Sequence, residues 1–359
     1  MSTFRDFDRL TALAPNFKRR LSGVTSTIIQ LVPEQARLGV SIATLAPKGA
    51  LPDTLPRLRW RDLWRLWKRP ADGLARVWHA RRNIEMIAGV VMRDVLRMPL
   101  VLVFTSAAQR RHKALTRWLI SRMDAVIATS EKSGSFLDVD HTVIMHGIDT
   151  ERFRPAPDNS AAKSAIGLSV ARVHIGCTGR IRHSKGTDLF VDAMIALLPD
   201  HPQWDAIITG RATSEHEHYK RDLENRIAAA GLGERIRFVG EVDDVVPWYQ
   251  AFDLFVAPSR NEGFGLTPLE AMACGVPCVT SDAGAYEAMI TPGESGICCP
   301  ASDEPGLRRA IDEALTRTFD SDSVRLSVLE SFSLQRESQA INRVYEGLRG
   351  AIRGQASRI

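Results

Sequence analysis

Pro258-Ser259-Arg260-Asn261-Glu262-Gly263-Phe264-Gly265-Leu266-Thr267-Pro268-Leu269-Glu270 is the stretch on which the fold turns. Before it, Leu254–Ala257 is a short apolar run that reads as a buried strand. After it, Thr267 is a suitable helix cap, Pro268 a suitable first helical residue, and Ala271-Met272-Ala273-Cys274 an apolar continuation. A buried strand that passes through a glycine-rich turn into a helix is the unit from which doubly wound sheets are made. Such sheets bind ligands beyond the carboxyl ends of their strands.

The same alternation extends both ways. In the second half, Val173–Cys177, Ala206–Thr209, Ile236–Val239 and Pro277–Thr280 read as strands, with helices over 188–198, 267–274 and 304–315. In the first half, Leu10–Ala14, Val40–Leu45, Leu100–Phe104 and Asp124–Thr129 read as strands, with a helical segment from Thr25. Phe153–Ser169, with prolines 155 and 157, reads as a linker. The expected fold class is α/β, with two doubly wound, Rossmann-like domains facing across a cleft.

Composition removes other classes. A hydrophobic fraction of 44% with 25% charged residues is that of an ordinary globular protein. No uncharged apolar stretch, Pro99–Ala108 included, comes near the ~20 residues of a membrane span. Charges throughout residues 1–20 leave no signal-peptide core. Cys177, Cys274, Cys278, Cys298 and Cys299 are odd in number and lack zinc spacing, so they read as reduced thiols. A cytoplasmic location is expected.

Charge is split along the chain. Residues 1–154 hold 26 Lys and Arg against 14 Asp and Glu, a net +12, whereas residues 155–359 carry −7. A basic first half points to an anionic partner there. One segment concentrates the effect: Arg57–Arg69 has six basic residues and one acid, Asp62. Within it Trp60, Leu63, Trp64 and Trp67 have the spacing of one α-helical face, with Arg61 and Arg65 beside it. Such a helix suits the headgroup boundary of a membrane.

A second chemical signal is Gly179-Arg180-Ile181-Arg182-His183-Ser184-Lys185-Gly186, directly after a strand. Arg180 and Lys185 can converge on one dianionic group, the arginine as a fork and the lysine as a point charge. The loop lacks the spacing of a nucleotide-triphosphatase phosphate loop. Glu262 in its turn and Glu270 in the following helix can each accept bonds from hydroxyl pairs on sugars. Asp243-Asp244 and Glu215-His216-Glu217-His218 have metal-binding residue types, but read as a turn and a solvated loop.

These two loops together, G-R-x-x-x-x-K-G and E-G-F-G-L-T-P-L-E-A-M-A-C-G-V-P, resemble those of the retaining GT-B glycosyltransferases of family four. The resemblance spans nearly the whole chain. It includes His146-Gly147-Ile148-Asp149 with Phe153 and Pro155, and Phe238-Val239-Gly240 with Trp248-Tyr249 through Asp253. It implies domains over residues 1–155 and 156–332, with a terminal helix of about 333–359 crossing back to the first. Ala14–Thr27 and Val77–Met86 further resemble bacterial lipopolysaccharide-core mannosyltransferases, which add mannose from GDP-mannose to the Kdo sugar of a lipid A precursor.

The resemblance implies a role for each matching residue. Arg180 and Lys185 would bind the donor diphosphate. Glu262, with the N–H groups of Gly263, Phe264, Gly265 and Leu266, would hold the donor sugar. Glu270 would bind the ribose, and Ser22 and Gly23 would form the loop over the phosphates. Lys18, Arg19, His79, Arg81 and Arg82 are acceptor-binding candidates, while Trp60, Trp64, Trp67, Arg61 and Arg65 are candidates for membrane contact. Many relatives carry a histidine near the donor sugar. Here Thr105-Ser106-Ala107 stands in that stretch, and His79 and His112 are the possible substitutes. No metal or other cofactor is expected. The expected partners are a nucleotide sugar, an anionic glycolipid and the inner leaflet of the cytoplasmic membrane. Nucleic acid is not expected: a nucleic-acid binder would leave Glu262 and Glu270 without a task. A UDP-sugar donor or another acceptor on the same fold is one alternative reading, and a non-enzymatic binder of nucleic acid or of an anionic surface is the alternative of another class.

Overall fold

The computed structural model describes residue 4, residues 6–19 and residues 23–356. The chain forms two compact units, Met1–Gly147 with Leu334–Ile359, and Ile148–Ser333. In the first unit β1 (Ala12–Pro15), β2 (Ile42–Leu45), β3 (Arg76–Ala80), β4 (Leu100–Ser106), β5 (Ala125–Ala128) and β6 (Thr142–Val143) form one parallel sheet. Their order is β2-β1-β3-β4-β5-β6, with Ala12 opposite Ile42 and Val77 and His79 opposite Val101 and Val103.

Both faces of this sheet are covered, as parallel sheets require. On one face lie helix α1 (Gly23–Arg37) and the terminal helix Leu334–Ala356, which contribute Ile28, Leu31, Ile341 and Tyr345 to the core. On the other lie α2 (Asn83–Val90) and α3 (Ala114–Ser121), with Met86, Val90, Leu119 and Ile120. The terminal helix is tied down at polar points too. Glu337 accepts from Gly147 N at 2.8 Å, and Arg349 Nε donates to Ala75 O at 2.8 Å.

Strand β3 escaped the sequence reading, for a physical reason. Arg-Val-Trp-His-Ala is not an apolar run, yet all five residues are buried. The Arg76 guanidinium is affordable inside because carbonyls meet it: Leu10 O at 3.1 Å and Phe7 O at 2.9 Å.

In the second unit β7 (Val173–Thr178), β8 (Trp204–Thr209), β9 (Ile236–Gly240), β10 (Leu254–Ala257), β11 (Cys278–Ser281) and β12 (Gly296–Cys299) form a second parallel sheet. Its order is β12-β11-β10-β7-β8-β9. Helices Thr187–Leu197 and Glu304–Thr316 bury Phe190, Met194, Leu307 and Ile311 against it. This is the two-Rossmann arrangement expected of a GT-B chain.

The stretch read as a linker is more structured than expected. Asn159–Ala165 is a helix, with Asp158 as its cap and Lys163 buried against Asp253 at 2.9 Å. Phe153 stacks edge-on to Tyr249, and Arg325 donates to Thr150 O and Phe153 O at 3.1 and 3.0 Å. These contacts place the residues from Ile148 onward in the second unit. Among the described residues no helix is long and apolar enough to cross a membrane.

Candidate active site

The second unit gathers the donor-side candidates at the carboxyl ends of β7 and β10. The loop after β7 brings the Lys185 ammonium onto the Glu262 carboxylate, which follows β10. Arg180 stands exposed on the same loop. The approach of the two loops depends on glycine. Gly186 has φ +69°, and a Cβ there would meet Pro258 O at 1.9 Å. Gly265 has φ +89°, and a Cβ there would meet the Tyr286 ring at 2.2 Å.

Helix Thr267–Ala273 begins one residue away from the sequence expectation. Leu266 holds the cap position without a side-chain bond, and Thr267 is already helical. Glu270 accepts a hydrogen bond from the Tyr249 hydroxyl at 2.8 Å and remains partly exposed. Burial pushes the Glu270 carboxyl up, and the Tyr249 bond opposes that shift.

Two features here were invisible in the sequence. One is Tyr249 itself, fully buried among Phe153, Phe252 and Phe255. The other is a clamp across the two loops. Arg260 grips Asp188 with both terminal nitrogens, at 2.6 and 2.8 Å, and donates to His183 O at 2.8 Å. Tyr219 donates to Asp188 at 2.8 Å. In addition, Arg260 N and Asn261 N both donate to Ser184 O, at 3.0 and 3.2 Å. Burial alone would push the Asp188 carboxyl up; the bonds from Arg260 and Tyr219 hold it below its ordinary range. Arg260 in Pro-Ser-Arg and Asp188 after Lys-Gly-Thr were the only hints, and their separation hides the pairing.

The first unit treats its candidates unequally. Lys18 and Arg19 are exposed after β1, and Gly23 opens α1 with open space around it. Ser22 lies outside the described residues. Arg82 is partly buried in a polar cluster, donating to Asn16 Oδ1 at 2.6 Å, Glu85 Oε1 at 2.9 Å and Thr25 Oγ1 at 3.1 Å. Arg81 is buried.

His79 has no exposed surface: Nδ1 meets Tyr345 Oη at 2.7 Å and Nε2 meets Thr105 Oγ1 at 2.6 Å. Burial, aided by the Arg81 charge, holds it well below the usual histidine range. As placed, it offers an acceptor no atom, because both ring nitrogens are already taken. His112 is partly exposed, with Nε2 at 3.2 Å from Ser106 Oγ at the end of β4. Both histidines therefore touch the Thr105-Ser106 stretch, from below and from its end.

The tryptophan segment is helical but not α-helical. Trp60–Trp67 is a 3₁₀ helix, so residues three apart align. Trp60, Leu63 and Leu66 form a row that runs from the exposed Trp60 to the fully buried Leu66, and Arg61, Trp64 and Trp67 form a second row, exposed throughout, so that all three tryptophans keep surface to solvent. The expected single face of three tryptophans is thus divided. Trp60 packs on Phe17 at 5.2 Å, Trp67 Nε1 donates to Leu96 O at 2.7 Å, and Arg65 lies over the Phe7 ring at 3.9 Å.

Asp244 is bonded to Arg152 at 3.0 Å and to Val246 N at 3.2 Å. Glu215 and His216 lie in a 3₁₀ turn, and Glu217 and His218 open the helix that follows. Among the described residues no group of three or more His, Cys, Asp and Glu is placed to hold a metal ion.

Comparison with known proteins places the chain in a family. A family model for group 1 glycosyl transferases matches residues 172–317, which hold both donor-side loops. The chain is 55% identical over 350 residues to the lipopolysaccharide core biosynthesis mannosyltransferase LpcC of Rhizobium leguminosarum bv. viciae, covering 96% of this chain and 98% of that one. It is 53% identical over 354 residues to the mannosyltransferase LpsB of Rhizobium meliloti, covering 96% and 99%. In fold it is similar to Anabaena HepE, solved in complex with UDP, with a TM-score of 0.81, 20% identity and coverage of 94% and 100%. The chain is therefore a glycosyltransferase of group 1 and belongs to the family of the lipopolysaccharide core biosynthesis mannosyltransferases.

Proposed function

We propose that the protein transfers mannose from GDP-mannose, with retention of configuration, to the Kdo inner core of a lipid A precursor. The observation that carries this reading is the meeting of Lys185 and Glu262 beside Arg180, in a chain more than half identical to two core mannosyltransferases. The second unit takes the donor. Arg180 and Lys185 bind its diphosphate, Glu262 and the N–H groups of residues 263–266 hold the sugar, and Glu270 accepts from the ribose.

The bond from the anomeric carbon to the phosphate oxygen breaks, its electron pair stays on the diphosphate, the acceptor hydroxyl oxygen bonds to the anomeric carbon on the face the diphosphate leaves, and the hydroxyl proton passes to the departing diphosphate oxygen. The two cations stabilise the charge growing on the leaving group. Bringing Lys185 to the diphosphate takes it from Glu262, whose freed carboxylate then accepts from sugar hydroxyls. These cations supply the electrostatic role a divalent ion has elsewhere, so the reaction needs no metal. Of the two histidines beside Thr105 and Ser106, His112 is the one with exposed surface, and it is the one open to a ligand. The enzyme works at the inner face of the cytoplasmic membrane, where its anionic acceptor meets the basic first half.

The test compares GDP-mannose and UDP-glucose with a Kdo-bearing lipid A precursor in the presence of EDTA. Mannosylated product of retained configuration from GDP-mannose alone is expected. Lys185→Met should lower kcat by roughly 10²–10³, the usual cost of one lost leaving-group contact. Transfer only from a UDP-sugar, or only with added divalent ions, would overturn the donor or the metal-free reading respectively.

A further inference from the structure

The exposed large apolar side chains are unevenly distributed. Among the described residues the second unit shows three, Val170, Leu326 and Leu329, and the first shows ten. Six of those ten lie on α2, its continuation and α3. Ile84, Ile87, Val91 and Val95 recur three, four and four residues apart, along α2 and the π-helical turn Val91–Val95 that extends it. This spacing aligns them on one face. Leu115 and Trp118 form a second row on α3, which α2 meets through the bond from Asn83 Nδ2 to Thr116 Oγ1 at 2.7 Å. The Trp67 bond to Leu96 O joins the exposed tryptophan edge to the far end of the first row. Val95 is 69% exposed, Trp64 65% and Trp118 54%, far more than core packing would leave.

The charge around these rows is mainly positive. Residues 83–122 contain seven Arg and Lys and two acids. Glu85 is buried, Asp94 is bonded to Arg93 and Arg122 at 2.7 and 2.6 Å, and Asp124 just beyond these residues accepts from Arg93 at 2.8 Å. Arg97, Arg110, Arg111, Lys113 and Arg117 are exposed. A second copy of the chain would set this basic surface against itself, whereas an anionic bilayer matches both its apolar rows and its cations.

We propose that the α2–π-turn–α3 face is the docking surface for anionic lipid, with the Trp60–Trp67 helix as its edge rather than its centre. This deepens the reading of a membrane-anchored acceptor and rests on it only for its purpose. The apolar rows enter the headgroup boundary, and the arginines and Lys113 meet lipid phosphates.

The experiment is co-sedimentation of the full chain with phosphatidylglycerol–phosphatidylcholine vesicles and with pure phosphatidylcholine vesicles, without donor or acceptor. Binding to the anionic vesicles alone is expected. The double variant Val95→Glu, Trp118→Glu should weaken it about tenfold or more, and Trp64→Ala by less. Both positions are exposed, so near-wild-type thermal melting is expected and serves as the folding control. Unchanged binding by a folded double variant overturns the proposal. So does failure of the wild type to bind, or a wild-type dimer in solution that the double variant dissolves. The double variant should keep its turnover on a detergent-dispersed acceptor. Vesicle binding without transfer would sink the proposed reaction and leave this surface standing.

Discussion

Glu270 shows what one buried hydroxyl can do for one carboxylate. Tyr249 lies in a cage of three phenylalanine rings, so its hydroxyl has a fixed position from which to donate to Glu270 Oε2. The carboxylate keeps its other oxygen for a ligand, and its rotamer is set before the ligand arrives. Tyr249→Phe removes the donor and little volume. The donor KM should rise roughly 3- to 10-fold, within the ~0.5–1.5 kcal/mol net worth of one hydrogen bond at a partly exposed site, while kcat stays within about twofold. Initial-rate kinetics over donor concentration would check this; a fall in kcat at constant KM would show that Tyr249 does not act through binding. The Glu270 side of this pair was legible because glycines and proline mark its loop in the sequence. The Tyr249 side was not: Trp-Tyr ahead of an apolar run reads as core, and only the fold brings it to Glu270. His79 misled in the opposite way. Beside Arg81 and Arg82 it looks like part of a basic surface, but once β3 is seen to be a central buried strand, its ring has to lie in the core.

At the scale of elements, the donor side is two loops and a fastening between them. Arg260 reaches from the loop after β10 to Asp188 at the start of the helix after β7, while Ser184 O accepts from two successive main-chain N–H groups. Lys185 and Glu262 are each within two residues of a member of this clamp or of its main-chain anchor, so their separation is inherited from it. Asp188→Asn keeps the shape and removes the charge. We expect kcat to fall about 10- to 30-fold, short of the Lys185→Met loss, because the cation remains but its aim is loosened. In a cycle with Arg260→Met the two losses should fail to add by about 0.5–3 kcal/mol, as for residues in one network. Additive losses would mean that each residue acts alone. Strands β7 and β10 were readable as apolar runs before glycine loops, and so was the place where the loops meet. The clamp was not readable, since no local spacing connects residues 72 positions apart. The Trp60–Trp67 segment fell to a different ambiguity: the pattern W-x-x-L-W-x-x-W fits a 3.6-residue period, and only tertiary contacts with Phe7, Phe17 and Leu96 wind it to three.

Over the whole molecule, each unit carries a histidine that folding keeps neutral. In the second unit His174 is buried at the start of β7. Burial first, and then the Lys163 charge, bring it down to about 4, with Asp253 and Asp205 pulling upward and Arg237 downward. In the first unit His79 is held well below its ordinary range by burial and by Arg81. Both folded values lie below the unfolded value of about 6.5, so from pH 6.5 downward the unfolded chain binds more protons than the folded one. Stability from these groups is therefore present above pH 6.5 and lost as pH falls toward the folded values. For His174 the loss by pH 5 is on the order of 1–2 kcal/mol, allowing for solvent screening of the shift. Asp188 and Asp94 act in a lower window, since carboxyls held below their ordinary range lose their stabilising effect only beneath about pH 4. Thermal melting between pH 7.5 and 4.5 should accordingly show a decline that begins near pH 6.5, above the window of Asp188 and Asp94. His174→Gln should flatten that decline for the second unit, and His79→Gln for the first, because the amide cannot take up the proton. A melting temperature that holds level down to pH 4.5 in the wild type would mean that neither imidazole is kept neutral by folding.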